Sequence, residues 1–292
     1  MTDATVNTAP DIAPRRKNRA WAKFKKNRGA MVGAVFVAFF VLVALIAPLL
    51  PVPDPAATDW GKIRLTPNSE HWFGTDEIGR DILSRMVWGA RASLMAGVIS
   101  VMIAVCVGVP LGLVAGYFGG WTDQIIARMT DALLAMPFLI MAIALAAFLG
   151  PSLTNAMIAI GLSAVPVFIR LTRGQVLSVK TEDYVEGARA IGLGHLPIMV
   201  RYILPNVFPP IIVQATLTIA AAIIAEASLS FLGLGQQPPA PSWGSMLATA
   251  KNFLTQAPHM AIWPGAAIFM VVMGFNLMGD GLRDALDPRD HG

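Results

Sequence analysis

The stretch Tyr184-Val-Glu-Gly-Ala-Arg-Ala-Ile-Gly-Leu-Gly194, continuing through His195, Pro197 and Arg201 to Ile203-Leu204-Pro205, is a polar island between long apolar runs. Thr181 or Asp183 is placed to cap a helix that carries Glu186 and Arg189 at helical spacing. Gly192 and Gly194 are placed to end it, because glycine enters the left-handed conformation without a Cβ clash. Pro197 suits the first turn of a second short helix, and Pro205 is expected to mark a break before the next apolar run. Two short helices at a sharp angle form a compact knob that can push on the helices it joins. The plainer alternative is an amphipathic loop resting on lipid headgroups.

The rest of the chain is too apolar for a soluble domain. Of its 292 residues 55% are hydrophobic and 14% charged, against about 25% charged in soluble domains. Net charge is +4, but the charges sit at segment ends rather than on one face, which favours membrane topology over nucleic-acid binding. The single cysteine, Cys106, can form no intrachain disulfide.

Uncharged runs give the spans. Met31–Leu50 is 20 residues long, about 30 Å as a helix and matched to the hydrocarbon core. Ser93–Phe118 is 26 residues, enough to cross with tilt. Ala132–Ile169 is 38 residues, roughly 57 Å if helical and too long for one crossing. Gly150-Pro151-Ser152 divides it into two helices. Runs near Val207–Leu232 and Ala261–Gly279 complete six crossings of an all-α, polytopic membrane protein.

Basic residues orient these spans. Arg15, Arg16, Lys17, Arg19, Lys23, Lys25, Lys26 and Arg28 precede the first, against only Asp3 and Asp11, so residues 1–28 form a cytoplasmic tail. The first apolar run is longer than a signal-peptide core and reads as a retained helix. Residues 1–20 are expected to be disordered. The membrane domain covers 29–282, with external loops 51–92 and 233–258, the cytoplasmic island 181–205, and a cytoplasmic tail 283–292. Loop 51–92 is the exception, holding five basic residues on the outside.

Within the island, Glu186, Ala188 and Gly192 followed by Leu204-Pro205 give the order E-x-A-x3-G-x11-L-P, which resembles the coupling loop of importer-type ABC permeases. Three more stretches are similar to dipeptide, oligopeptide and nickel permeases. They are Phe73-Gly-Thr-Asp-Glu-Ile-Gly-Arg-Asp81, Glu226-Ala-Ser-Leu-Ser-Phe-Leu-Gly-Leu-Gly235 and Asn276-Leu-Met-Gly-Asp-Gly-Leu-Arg-Asp-Ala-Leu-Asp-Pro-Arg289. The likeness runs from about residue 20 to the end. Within that family the chain looks like the second permease of a pair, of the dipeptide or glutathione type. Gly187 and Tyr202 depart from the coupling pattern, where alanine and isoleucine are usual.

The resemblance implies a heterodimer with a sister permease, two cytoplasmic ATPase subunits, and an extracytoplasmic peptide-binding protein, all in a prokaryotic cell membrane. Tyr184, Glu186, Gly187, Ala188, Arg189, Gly192, Leu204 and Pro205 would couple to the ATPase. ATP and Mg would bind the partner ATPases, because this chain has no G-x-x-x-x-G-K-[ST] loop, and it needs no cofactor of its own. No catalytic nucleophile stands in register with a base, and the scattered His71, His195, His259 and His291 point to no metal site.

Glu226 and Ser230 are candidates for the translocation path or its outer gate. An acid inside a membrane span is costly, so it should face water, the sister chain or a basic partner. The bland alternative is a structural hydrogen bond to Ser228, Ser230 or the sister chain's backbone. Arg128 is expected to pair with Asp123 or Asp131 at helical spacing. Gly108, Pro110, Gly112 and Gly116 point to close helix approach or a kink. Nickel import, a gradient-driven transporter and a membrane scaffold are the rival functions.

Overall fold

The computed structural model describes residues 16–286. Its helices are α1 (Arg16–Lys26), α2 (Arg28–Ile46), α3 (Ile82–Phe118), α4 (Gly120–Leu134), α5 (Phe138–Leu149) and α6 (Leu153–Val179). They continue with α7 (Asp183–Ala190), α8 (His195–Pro197), α9 (Leu204–Phe231), α10 (Trp243–Ala250) and α11 (His259–Leu286). Five stretches are long and apolar enough to cross a membrane: α2, α3, α6, the run from α8 through α9, and α11. Helices α4 and α5 meet at 91° and make a sixth crossing when taken together. The break falls before Pro137, whose ring disfavours helix at Met136.

The outer half of α3 packs with α2, α9, α10 and α11 around Ile82, Leu94, Ile223, Trp243 and Val271. Its inner half joins a second core of α5, α6, α7 and α9 around Leu113, Ile160, Phe168 and Ile203. Along that inner half, Gly108, Gly112 and Gly116 lie at one-turn spacing against α6. A Cβ on them would fall 2.7 Å from Phe168 Cβ, 2.6 Å from the Ile169 carbonyl oxygen and 2.7 Å from Val176 Cβ. Without water to drive helices together in lipid, such close backbone approach supplies the packing.

The start of α2, the end of α11 and the island share one face. Asn27 Nδ2 donates to Asp284 at 3.2 Å, tying the start of α2 to the end of α11, and the inner end of α3 meets the island. Segment 51–81 and α10 cover the opposite face, where Ser84 Oγ bonds the Pro53 carbonyl and Arg85 donates to the Pro55 carbonyl at 2.9 Å.

Several element ends differ from the sequence expectation. Helix α3 starts at Ile82 rather than near Ser93, capped by Asp81, which accepts the Ser84 N–H at 2.7 Å. Arg85 rides on the helix because Asp76 lies 3.4 Å away and neutralises it. Helix α6 runs on to Val179, α11 reaches Leu286, and the chain is already helical from Arg16. The remainder of the tail expected to be disordered, residues 1–15, lies outside the described residues, as do 287–292.

Pro205 marks no break. A π-helical run, Ile198–Ile203, leads directly into α9, with the Leu204 N–H bonded to the Met199 carbonyl. The wider turn absorbs the missing proline N–H. The Gly150-Pro151-Ser152 turn forms as expected, with Ser152 capping α6 by accepting the Asn155 N–H at 3.0 Å. Arg128 pairs with neither acid. Helix α4 lies against α6, so Arg173 binds Asp123, with Nη2 at 2.7 Å from Oδ2, and Arg170 binds Asp131 at 2.7 Å.

Candidate coupling site and a buried carboxylate

The island folds as two helices around a tight corner. Asp183 and Glu186 sit in the first turn of α7 and Arg189 in its last, each favourable to the helix dipole. Neither Thr181 nor Asp183 caps it. The N-cap is Glu182 without a side-chain bond, and Thr181 Oγ donates back to the Ser178 carbonyl at 2.9 Å. Gly192 makes the corner at φ +79°, with the Leu193 N–H returning to the Ala188 carbonyl at 3.2 Å. Gly194 takes an ordinary φ of −65° and opens α8 instead of ending α7.

Burial sorts the residues of the motif. Val185 and Ala188 turn inward, Ala188 being only 4% exposed, and join the inner core with Ile198 and Ile203. Tyr184, Glu186, Gly187, Arg189, Gly192 and Pro205 are exposed, and Leu204 is half-buried. The largest outward apolar groups are Ile191 at 76% and Leu196 at 67% exposed, flanking the corner on either side. Motif reading missed both. The helical phase held part of the signal: Tyr184 and Ile191, seven residues apart, share one side of the helix and flank the core stripe of Val185 and Ala188.

The knob grips the end of α3. Tyr117 Oη lies 3.0 Å from His195 Nδ1, the Arg189 guanidinium stands 5.4 Å above the Tyr117 ring, and Lys180 Nζ donates to the Gly116 carbonyl at 2.8 Å.

At the other end of the molecule, Glu226 is fully enclosed. Ser93 Oγ donates to one carboxylate oxygen at 3.1 Å and Ser230 Oγ to the other at 2.7 Å. Both hydroxyls also accept backbone N–H groups, Ser93 from Trp243 at 3.2 Å and Ser230 from Gln236 at 3.1 Å. The acid therefore ties α3 and α9 to the start of α10. Ser228 takes no part; it donates to the Ile224 carbonyl at 2.9 Å. Neither Glu226 nor Ser230 opens onto a surface of this chain.

A charged network backs α10. Arg80 Nε binds Asp76 at 2.6 Å and Arg80 Nη2 binds Glu77 at 2.6 Å, with Arg85 beside them. The second Glu77 oxygen, Oε2, is buried without a partner. Burial, reinforced by the Asp76 charge, holds the Glu77 carboxyl above its ordinary range despite Arg80. Two of the five basic residues of loop 51–92, the exception to the expected topology, are thus spent on internal pairing. Among the described residues no group of three or more His, Cys, Asp or Glu could hold a metal.

Residues 108–290 match the family model described as binding-protein-dependent transport system inner membrane component. The chain belongs to this family of ABC importer permeases. Residues 18–67 match the N-terminal transmembrane domain of oligopeptide transport permease C. A dipeptide transport system permease protein from Alkalihalophilus pseudofirmus is 48% identical, over 95% of this chain and 91% of its own length. A glutathione transport system permease protein from Pectobacterium atrosepticum is 44% identical, over 92% of this chain and 90% of its own. The inward-facing MetNI methionine ABC transporter shares the fold with a TM-score of 0.58 at 18% identity, over 70% of this chain and 97% of that one.

Membership sets aside the gradient-driven transporter and the scaffold. It makes the protein a multi-pass component of a membrane transporter that works with an ATPase and a substrate-binding protein.

Proposed function

We propose that the protein is one of two unlike permease subunits in an ATP-driven importer of di- and oligopeptides, glutathione among them. The knob 181–205 docks in a groove of a cytoplasmic ATPase, a second ATPase serving the sister permease, and both chain ends share its side. ATP and Mg stay on those ATPases. An extracytoplasmic protein delivers peptide to the face formed by segment 51–81 and α10. Nickel import is not favoured, because the relatives above are dipeptide and glutathione permeases.

The observation that carries the docking is the pair Ile191 and Leu196, the two most exposed large apolar side chains of the knob, held out at its corner. An apolar anchor in a pocket is how a small interface gains most of its affinity. Tyr184, Glu186, Gly187, Arg189 and Gly192 form the rim, while Ala188, Leu204 and Pro205 shape the knob beneath. Glu226 and Ser230 serve the path indirectly, by fixing α10 over its outer end.

The test is uptake of a labelled dipeptide by proteoliposomes holding both permeases, with and without the ATPases and ATP. Uptake that needs both, and that Ile191→Asp abolishes, supports the reading. Uptake independent of the ATPases would sink it.

A further inference from the structure

We propose that Tyr117 is a positioning residue for transport, the joint through which the knob moves α3. This rests on the docking reading above. Two parts of the island, and the residue just ahead of it, converge on residues 116–118. Lys180, ahead of α7, bonds the Gly116 carbonyl at 2.8 Å. Arg189, from α7, lies over the Tyr117 ring at 5.4 Å. His195, from α8, meets the Tyr117 hydroxyl at 3.0 Å and packs edge-on to the rings of Tyr117 and Phe118, at 5.6 and 5.7 Å.

The surroundings make this grip a transmission point. Tyr117 is buried, and just before it the glycine stripe fuses α3 to α6. Just after it Gly119 and Gly120 both take positive φ, 68° and 55°, and a Cβ on either would touch nothing. Two consecutive glycines in that region give a corner with little side-chain restraint. Load entering through α7 and α8 is passed to the α3–α6 pair through Tyr117. Helix α4, beyond the corner, is tied to α6 by the Asp123–Arg173 pair and not to the knob. His195 sits next to Leu196 on the exposed knob, yet its ring nitrogen is directed back to α3.

The experiment uses the complete complex in proteoliposomes, with its binding protein, and reads peptide imported per ATP hydrolysed. Docking is followed by a crosslink from a cysteine at position 191 to the ATPase. Tyr117→Ala and His195→Ala should keep the crosslink and hydrolyse ATP, while import per ATP falls by roughly fivefold or more, the scale of an ordinary coupling energy. His195→Gln, which keeps a hydrogen-bonding group, should recover at least about half of it.

Import per ATP at the wild-type value in Tyr117→Ala, with the crosslink kept, overturns the joint and leaves docking standing. Should Tyr117→Ala fail to assemble, His195→Ala at its exposed site decides by the same ratio. Absence of the crosslink with Tyr117 and His195 intact overturns the docking reading, and the joint with it.

Discussion

Gly112 leaves no room for a methyl group: a Cβ there would lie 2.6 Å from the Ile169 carbonyl oxygen. Backbone cannot retreat as a side-chain tip can, so Gly112→Ala should cost about 1–3 kcal/mol, read as a lower melting temperature of the purified complex. Gly174, on α6 with nothing near its Cβ direction, is the control. There alanine should be neutral or stabilise by about 0.5–1 kcal/mol. Equal melting of the two variants would mean that α3 and α6 separate without penalty. Glu226 tests enclosure in the same way. Glu226→Ala leaves Ser93 and Ser230 without their acceptor, a loss of about 1–3 kcal/mol, and should lower the yield of assembled complex. Glu226→Gln keeps the volume and one acceptor, so it should assemble and import peptide near the wild-type rate. Full assembly with lost import in the glutamine variant would instead put the carboxylate charge in the transport cycle.

At the scale of elements, α7 and α8 present a defined outward face. A cysteine at 191 or 196, in a Cys106→Ser background, should crosslink to the ATPase groove at least about tenfold faster than one at 188, whose side chain is buried. Comparable rates at 188 would mean that the knob opens on docking. This orientation was only half legible in the sequence. The island, its glycine corner and the apolar runs around it stand out by composition. The side of α7 that faces out required knowing that Val185 and Ala188 reach the core. Helix ends are the least legible, because a charge in the sequence looks like a boundary. Arg85 lies inside α3 since Asp76 neutralises it, and Pro205 lies inside a helix since a π turn makes room. The Arg80 network carries a pH prediction. Burial raises the Glu77 pKa, so the folded state holds that proton more tightly than the unfolded chain. This contribution is complete below the usual glutamate pKa of about 4.3 and is lost as pH rises through the raised value. The melting temperature of Glu77→Gln should therefore gain on the wild type as pH rises through that window. A gap that shrinks would mean that the Arg80 pair outweighs burial.

For the whole molecule, one arrangement has to satisfy both the helix count and the charges. Counted as one span, the bent α4–α5 pair brings the crossings to six and returns the chain to the side on which it began, where the Asn27–Asp284 bond joins the start of α2 to the end of α11. The knob lies on the same side, since α3 and α6 both end beside it. Lys23, Lys25, Lys26 and Arg28 belong to that side, as do Arg170, Arg173, Lys180, Arg189 and Arg201, so the positive-inside rule predicts that this face is cytoplasmic. The opposite face breaks the rule only when residues are counted and not located. Arg80 and Arg85 are buried against Asp76 and Glu77, and Lys62 is paired with Glu70. A folded, neutralised loop carries less positive charge than its sequence advertises. Four exposed positions decide the matter: Trp21 and Leu196 on the first face, Trp60 and Leu254 on the second. Single cysteines at 60 and 254 should react with an impermeant thiol reagent in intact cells. Those at 21 and 196 should react only after the membrane is permeabilised. Labelling of 196 from outside would invert the topology and, with it, remove the knob from any ATPase in the cytoplasm.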